Sequence, residues 1–389
     1  MAVMFALVLP VVIGFAGFGV ETSYWYLKSL DLQAQADAAA YAGAMEKRSG
    51  SSNSVVTTVA TRAATDNGFS TGGSNTITVN TPPATGSAGA QAVEVLLHAT
   101  AERFFTQFFT NTPVNLNARA VGKYNTAANA CILALDSAAS KSALFSGNMN
   151  LQLTGCSVMS NSVAADAGTV QGSATLTTTC LISAGGVSVT AGLTETVCAA
   201  PITQASQVAD PYKDVATPTA SGSCLSDNGA SLSAGHYCSG MNLKGNVTLA
   251  PGVYYVDGGD FTINANANIT GTGVTIYLKS GSKVTMNGNA HVDLSAPTSG
   301  TYSGMLFFGD RSSPMAVNKF NGDSSSSFTG AIYFPTQEID YQGNFSGSGG
   351  CTQVVGDMVS WTGSANVSVD CTAYGMQTIA ALTVVKLVE

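Results

Sequence analysis

Phe261-Thr-Ile-Asn-Ala-Asn-Ala-Asn-Ile269 is answered about 23 residues later: Phe261-Thr-Ile263 aligns with Val284-Thr-Met286, and Ile269 with Val292. Thr275-Ile-Tyr-Leu278, Met305-Leu-Phe-Phe308, Ala331-Ile-Tyr-Phe334 and Val359-Ser-Trp361 continue the series as brief apolar runs between Gly- and Asn-rich turns. Short strands recurring at roughly 20 to 25 residues are what a parallel β-helix produces, because each coil stacks on the last and only inward positions need be apolar. A β-sandwich is the alternative, with turn signals about every 8 to 12 residues. The repeat interval favours a right-handed parallel β-helix over 127–389. Asn264-Ala-Asn-Ala-Asn268 fits it, since stacked turns can form ladders of side-chain amides.

Upstream the texture is different. Met1 to Val20 contains no charge and runs without a break through Glu21 into Leu32-Gln-Ala-Gln-Ala-Asp-Ala-Ala-Ala-Tyr-Ala-Gly-Ala44. A helix of that length spans about 30 Å in its first twenty residues, the thickness of a bilayer core. Residues 1–48 are therefore expected to form a retained transmembrane or assembly helix, kinked at Pro10, and not a cleaved signal, which would need a basic leader and unrelated sequence beyond its cleavage site. Residues 49–126 read as a small α+β module: a second helix on Val55, Val56, Val59, Ala60 and Ala63, strands at 76–79 and 92–99, a short aromatic-faced helix at 100–110 carrying Phe104, Phe105, Phe108 and Phe109, and a strand at 114–121. The fold class is mainly β, with an N-terminal long helix and a pilin-like module ahead of the β-helix.

Charged residues make up only 10% of the chain, glycine numbers 42, and the net charge is −8. Low charge with abundant Gly, Ser, Thr and Asn is the profile of extracellular β-proteins. The acidic balance, without a Lys/Arg cluster, argues against a nucleic-acid partner. The eight cysteines, Cys131, Cys156, Cys180, Cys198, Cys224, Cys238, Cys351 and Cys371, all lie in the last two thirds of the chain, and none forms a C-x-x-C pair. Such a set reads as four disulfides in an oxidising compartment, and the even spacing of neighbours suggests sequential pairs. His98, His236 and His291 are scattered, so no metal site and no cofactor is expected.

Motifs for hydrolase, metalloprotease and nucleotide chemistry are missing, and no catalytic residue is assigned. Asp257 and Asp260 are the best carboxylate pair for polysaccharide cleavage, but Asp-Gly-Gly-Asp is also an ordinary turn. The chain is read as non-enzymatic. A glycan-binding adhesin is the alternative, and a polysaccharide-active β-helix enzyme a weaker one. Glu21 ends the apolar run, where a carboxylate can sit at a lipid interface or pair with a neighbouring subunit's N-terminal amine or Lys28.

Phe5-Ala-Leu-Val-Leu-Pro10, Gly17-Phe-Gly-Val-Glu21 and the alanine-rich run 32–44 resemble the N-terminal region of TadG-like proteins of the bacterial tight-adherence (Tad, Flp-type) pilus system. Val93 to Val121 is similar to the end of the pilin-like module of TadE and TadG relatives. Two departures stand out: Glu21 where that family usually has Asp, and Gln35 in place of an Ala. The resemblance implies a pilus subunit, minor pilin or membrane-anchored assembly factor at the cell surface, assembled from or anchored in the bacterial inner membrane. Its partners would be copies of itself or other pilins, met through the N-terminal helix, and the membrane; a surface glycan is the partner the adhesin alternative calls for. Phe5, Leu9, Pro10, Gly17, Glu21, Ala34, Ala38 and Ala42 are the positions expected to serve insertion and subunit packing. Some relatives carry a von Willebrand type A metal site, but Asp310-Arg-Ser-Ser-Pro314 misplaces its second Ser.

Overall fold

The computed structural model describes residues 2–48, 51–84, 86, 89, 91–323, 325–342, 351–368 and 374–388. It is mainly β, with a long N-terminal helix and a parallel β-solenoid of about ten turns. Two compact units are present: residues 1–126 with 383–389, and residues 127–382.

In the first unit, α1 (Ala2–Arg48) runs for 47 residues, about 70 Å at 1.5 Å per residue. Its second half presents Leu32, Ala36, Ala39, Ala40, Gly43 and Ala44 to the interior, a 3.6-residue stripe of small side chains that lets backbones approach closely. Against it pack α2 (Asn53–Asp66), through Val56, Ala60 and Ala64, and an antiparallel sheet of β1 (Thr76–Asn80), β2 (Ala92–Ala101) and the start of β3 (Val114–Ala134). Gly122 on β3 lies against the Ala40 carbonyl, where even a methyl group would collide. Glu94 is fully buried and bonded to Arg119 at 2.8 Å and to the Asn80 amide at 2.7 Å. Residues 383–389, expected with the ectodomain, belong to this unit, where Val385 packs with Ala44, Val56 and Val93 and the Val388 N–H donates to the Val121 carbonyl. The expected helix at 100–110 is instead the end of β2 followed by a loop with one 3-10 turn, Thr106–Phe108, because its phenylalanines have no core to face.

The second unit is the solenoid, and its coils have three faces. Phe261 pairs with Val284, Ile263 with Met286 and Ile269 with Val292, in parallel register. Alternate residues of one face point inward, including Tyr254, Ile276, Phe307, Ile332, Val354, Ile132, Val158 and Leu181, into a continuous core. A second face adds an aromatic stack, Tyr341 on Trp361 with centroids 4.0 Å apart. The turns are held as the Asn-rich sequence requires: Asn264 donates to the Asn242 side chain and to the Leu243 carbonyl, Asn287 repeats the bond to the Ile263 carbonyl, and Asn266 and Asn289 take left-handed φ of 58° and 62°. Asn tolerates that conformation better than other side chains.

Stacking order departs from chain order. The coils entered at residues 235, 252, 274, 305, 331 and 352 follow one another, and the last of them pairs with β3, Val354 facing Ile132. From there the stack continues through Ser157–Ser160 and Leu181–Ser183 to a bridge at Ile202. The chain thus enters its solenoid in the middle, runs to one end, and crosses to the other before filling the remaining coils. The crossing segment, residues 203–230, covers an outward apolar ladder that includes Tyr277, Phe308, Tyr333, Val355, Leu133, Met159 and Ile182. It is fastened coil by coil: Val208 exchanges two 2.8 Å bonds with the Asn161 side chain, the Tyr333 hydroxyl donates to Asp210 at 2.7 Å, and the Tyr212 hydroxyl donates to Gln353. Arg311 lies over the Phe308 and Tyr333 rings and donates to the carbonyls of Tyr212 and Val215.

Cys131 is bonded to Cys156, Cys180 to Cys198 and Cys224 to Cys238. Cys351 is also disulfide-bonded; Cys371, expected as its partner, lies outside the described residues.

Candidate assembly site

The first half of α1 is apolar and bare. Val8, Leu9, Val11, Val12, Ile13, Phe15, Phe18 and Val20 are all exposed, and in that stretch only Gly17, among the residues whose side chains are described, is buried. The side chains of Phe5 and Pro10 lie outside the description. The transmembrane span expected here is not found: among the described residues no helix is long and apolar enough to cross a membrane. Gly14, Gly17 and Gly19 dilute the apolar run from Val11 onward, and Glu21, Thr22, Ser23 and Lys28 end it.

Gly17, Glu21 and Trp25, spaced four residues apart, share one helix face, and the β2–β3 loop clasps that face. The Glu21 carboxylate is fully buried and accepts the backbone N–H groups of Phe104 at 2.5 Å and Thr106 at 2.9 Å. One turn toward the C-terminus, Trp25 Nε1 donates to the Glu102 carbonyl at 3.0 Å, and the Arg103 guanidinium lies 5.2 Å from its ring centroid. One turn the other way, the Phe105 ring fills the space a side chain at Gly17 would need. Phe104 packs edge-on to Tyr24 at 5.1 Å. Burial pushes the Glu21 carboxyl up, but the two N–H donors, the Thr106 hydroxyl and the Arg103 charge outweigh it and hold the group below its ordinary value. Glu21 is therefore an anchor for the chain's own loop. Ala34 is exposed and Ala38 and Ala42 are half-buried, to one side of the stripe that meets the sheet.

Residues 1–46 match the Tad family model, Flp pilus-assembly TadE/G-like. The TadE/G-like segment thus ends just short of the α1 C-terminus, and it contains both the bare apolar half and the clasped face. It supports a pilus-related role, a cell-surface or pilus location, and other pilus components as partners. No curated protein and no solved structure matches the chain.

Elsewhere, Asp257 accepts from or pairs with His236 Nε2 at 3.0 Å, and Asp260 accepts the Lys283 N–H at 3.2 Å, so both carboxylates are engaged in holding coils together. His236 also lies beside Cys224 and Cys238, the one cluster of metal-ligand type among the described residues, but those sulfurs are joined to each other. Asp310, considered above as part of a metal motif, bonds Lys279 at 2.8 Å. The roles of Trp25, Arg103 and Arg311 escaped the sequence reading. Trp25 had a signal, its four-residue spacing from Glu21; Arg311 had none, since the crossing-segment groups it holds lie 94 to 99 residues away.

Proposed function

We propose that this chain is a structural component of a Tad-type surface filament, as a pilus subunit, minor pilin or assembly factor. The observation carrying this reading is that the TadE/G-like segment leaves its apolar half-helix uncovered by the rest of its own unit. An uncovered apolar helix is destabilising in water unless it packs against like helices or lipid. Neighbouring copies or other pilins would supply the cover, and Ala34, Ala38 and Ala42 offer small side chains for close helix approach. The solenoid, stapled by disulfides and low in charge, suits the oxidising exterior and is the part presented outward. The role is architectural, not catalytic. Mass spectrometry of filaments sheared from cells, with filament counts in a deletion strain, tests it. Recovery of the chain from filaments, or loss of filaments on deletion, is expected; absence from filaments together with an unchanged count would sink the reading.

A further inference from the structure

The β2–β3 loop, 102–113, opens with Glu102-Arg103 and continues as Phe104-Phe-Thr-Gln-Phe-Phe-Thr-Asn-Thr-Pro113, a stretch with four phenylalanines and no charge. Phe108 and Phe109 are 90% and 83% exposed, and Phe104 and Phe105 about half. The loop is held in that display, since Glu21, Trp25 and Gly17 fix its first residues on α1. A contiguous apolar patch on a fixed loop marks an interaction surface. Its surroundings say what kind. The apolar half of α1 adjoins it, and Tyr24, Trp25 and Tyr26 follow in succession, with Lys28 over the Tyr24 ring and Arg103 over Trp25. Apolar tips, then amphipathic rings, then cations is the polarity profile of a lipid interface, where Tyr and Trp sit at headgroup level.

We propose that the 104–109 loop inserts into the outer layer of a lipid surface, with Tyr24, Trp25 and Arg103 at headgroup depth and Glu21 keeping the loop extended toward the lipid. Lys28 and Arg103 are offset locally by Asp31 and Glu102, and the chain carries −8 overall, so insertion is apolar and does not depend on anionic lipid. The inference concerns lipid contact by this loop and stands apart from incorporation into a filament.

The test uses the full chain on phosphatidylcholine vesicles brominated at shallow acyl positions. Trp361 is enclosed in the solenoid core, so quenching reports Trp25. Quenching is expected, equal with and without phosphatidylglycerol, and the double variant Phe108→Ser, Phe109→Ser should lower the vesicle-bound, quenched fraction about tenfold or more. Both side chains are exposed, so the variant should fold, which circular dichroism checks. Unquenched Trp25 on vesicle-bound protein overturns the proposal. So does a double variant that quenches like the wild type, including one that changes only self-association in sedimentation, which would assign the loop to a second copy. Failure of the filament reading would show separately, as absence from sheared filaments with quenching intact.

Discussion

Replacing Gly122 with Ala tests whether close approach between α1 and β3 organises the first unit. A methyl group there would stand 2.9 Å from both the Ala40 carbonyl carbon and Ala44 Cβ, and nearer still to the Ala40 oxygen. Ordinary contact begins at 3.4 Å, so α1 must move by at least about 0.5 Å. The obstacle is backbone, which cannot swing aside as a flexible side chain can. Overpacking of this kind costs about 1–3 kcal/mol, and reduced freedom of the unfolded chain returns about 0.4–1 kcal/mol. A net loss of about 1–2 kcal/mol should speed amide exchange of peptides spanning 32–44 and 92–101 by roughly five- to thirtyfold where opening is limiting in equilibrium, with solenoid peptides unchanged. Gly19→Ala is the control: nothing lies within 4 Å of its added methyl group, and a mid-helix Gly-to-Ala change should stabilise by about 1 kcal/mol. Adding Ala44→Gly to Gly122→Ala should restore protection only in part, because it removes the methyl contact but leaves the carbonyl. If Gly122→Ala leaves exchange in both segments within twofold of wild type, or if Gly19→Ala is equally harmful, the close-approach argument is wrong.

Glu21 has a depressed carboxyl, so its contribution is present above the ordinary value of 4.5 and is lost as pH falls through the lower folded value; hydrogen-exchange protection over 102–109, taken relative to the intrinsic rate at each pH, should hold at about pH 5 and fall only well below it, and Glu21→Gln should lower it at neutral pH. Arg311→Ala should release the crossing segment, exposing 203–217 to proteolysis and costing about 2 kcal/mol or more from lost charge-assisted bonds, while Arg311→Lys should fail to rescue because it lacks the planar fork; intact resistance in both variants would remove Arg311 from that role. Burial and the neighbouring Asp136 push the Asp357 carboxyl up, which makes its ionised form a liability that grows as pH rises from the unfolded value toward the folded one; Asp357→Asn should raise the solenoid's melting temperature at neutral pH and have no effect in acid.

Much of the architecture is written locally. The interval from Phe261-Thr-Ile263 to Val284-Thr-Met286 specifies which strands lie side by side, because inward apolar positions must stack to close a core and the Asn turns must stack to bond one another. The uncharged run before Glu21 and the alanine stripe after it mark the helix as one that meets other apolar surfaces. What no local pattern specifies is the order of the coils. Parallel ladder bonds join backbone to backbone and are indifferent to which coil supplies the edge, so seating Val354 beside Ile132 rests on the whole stack and on a 203–230 segment long enough to cross it. The same holds for Glu21. Its sequence position shows a carboxylate at the end of an apolar helix, but whether it meets water, a neighbouring subunit or its own chain depends on where residues 104 and 106, more than eighty positions away, place their N–H groups. Only the tertiary structure brings those donors to the helix, and it is they, against the cost of burial, that hold the carboxylate in the role of an internal anchor.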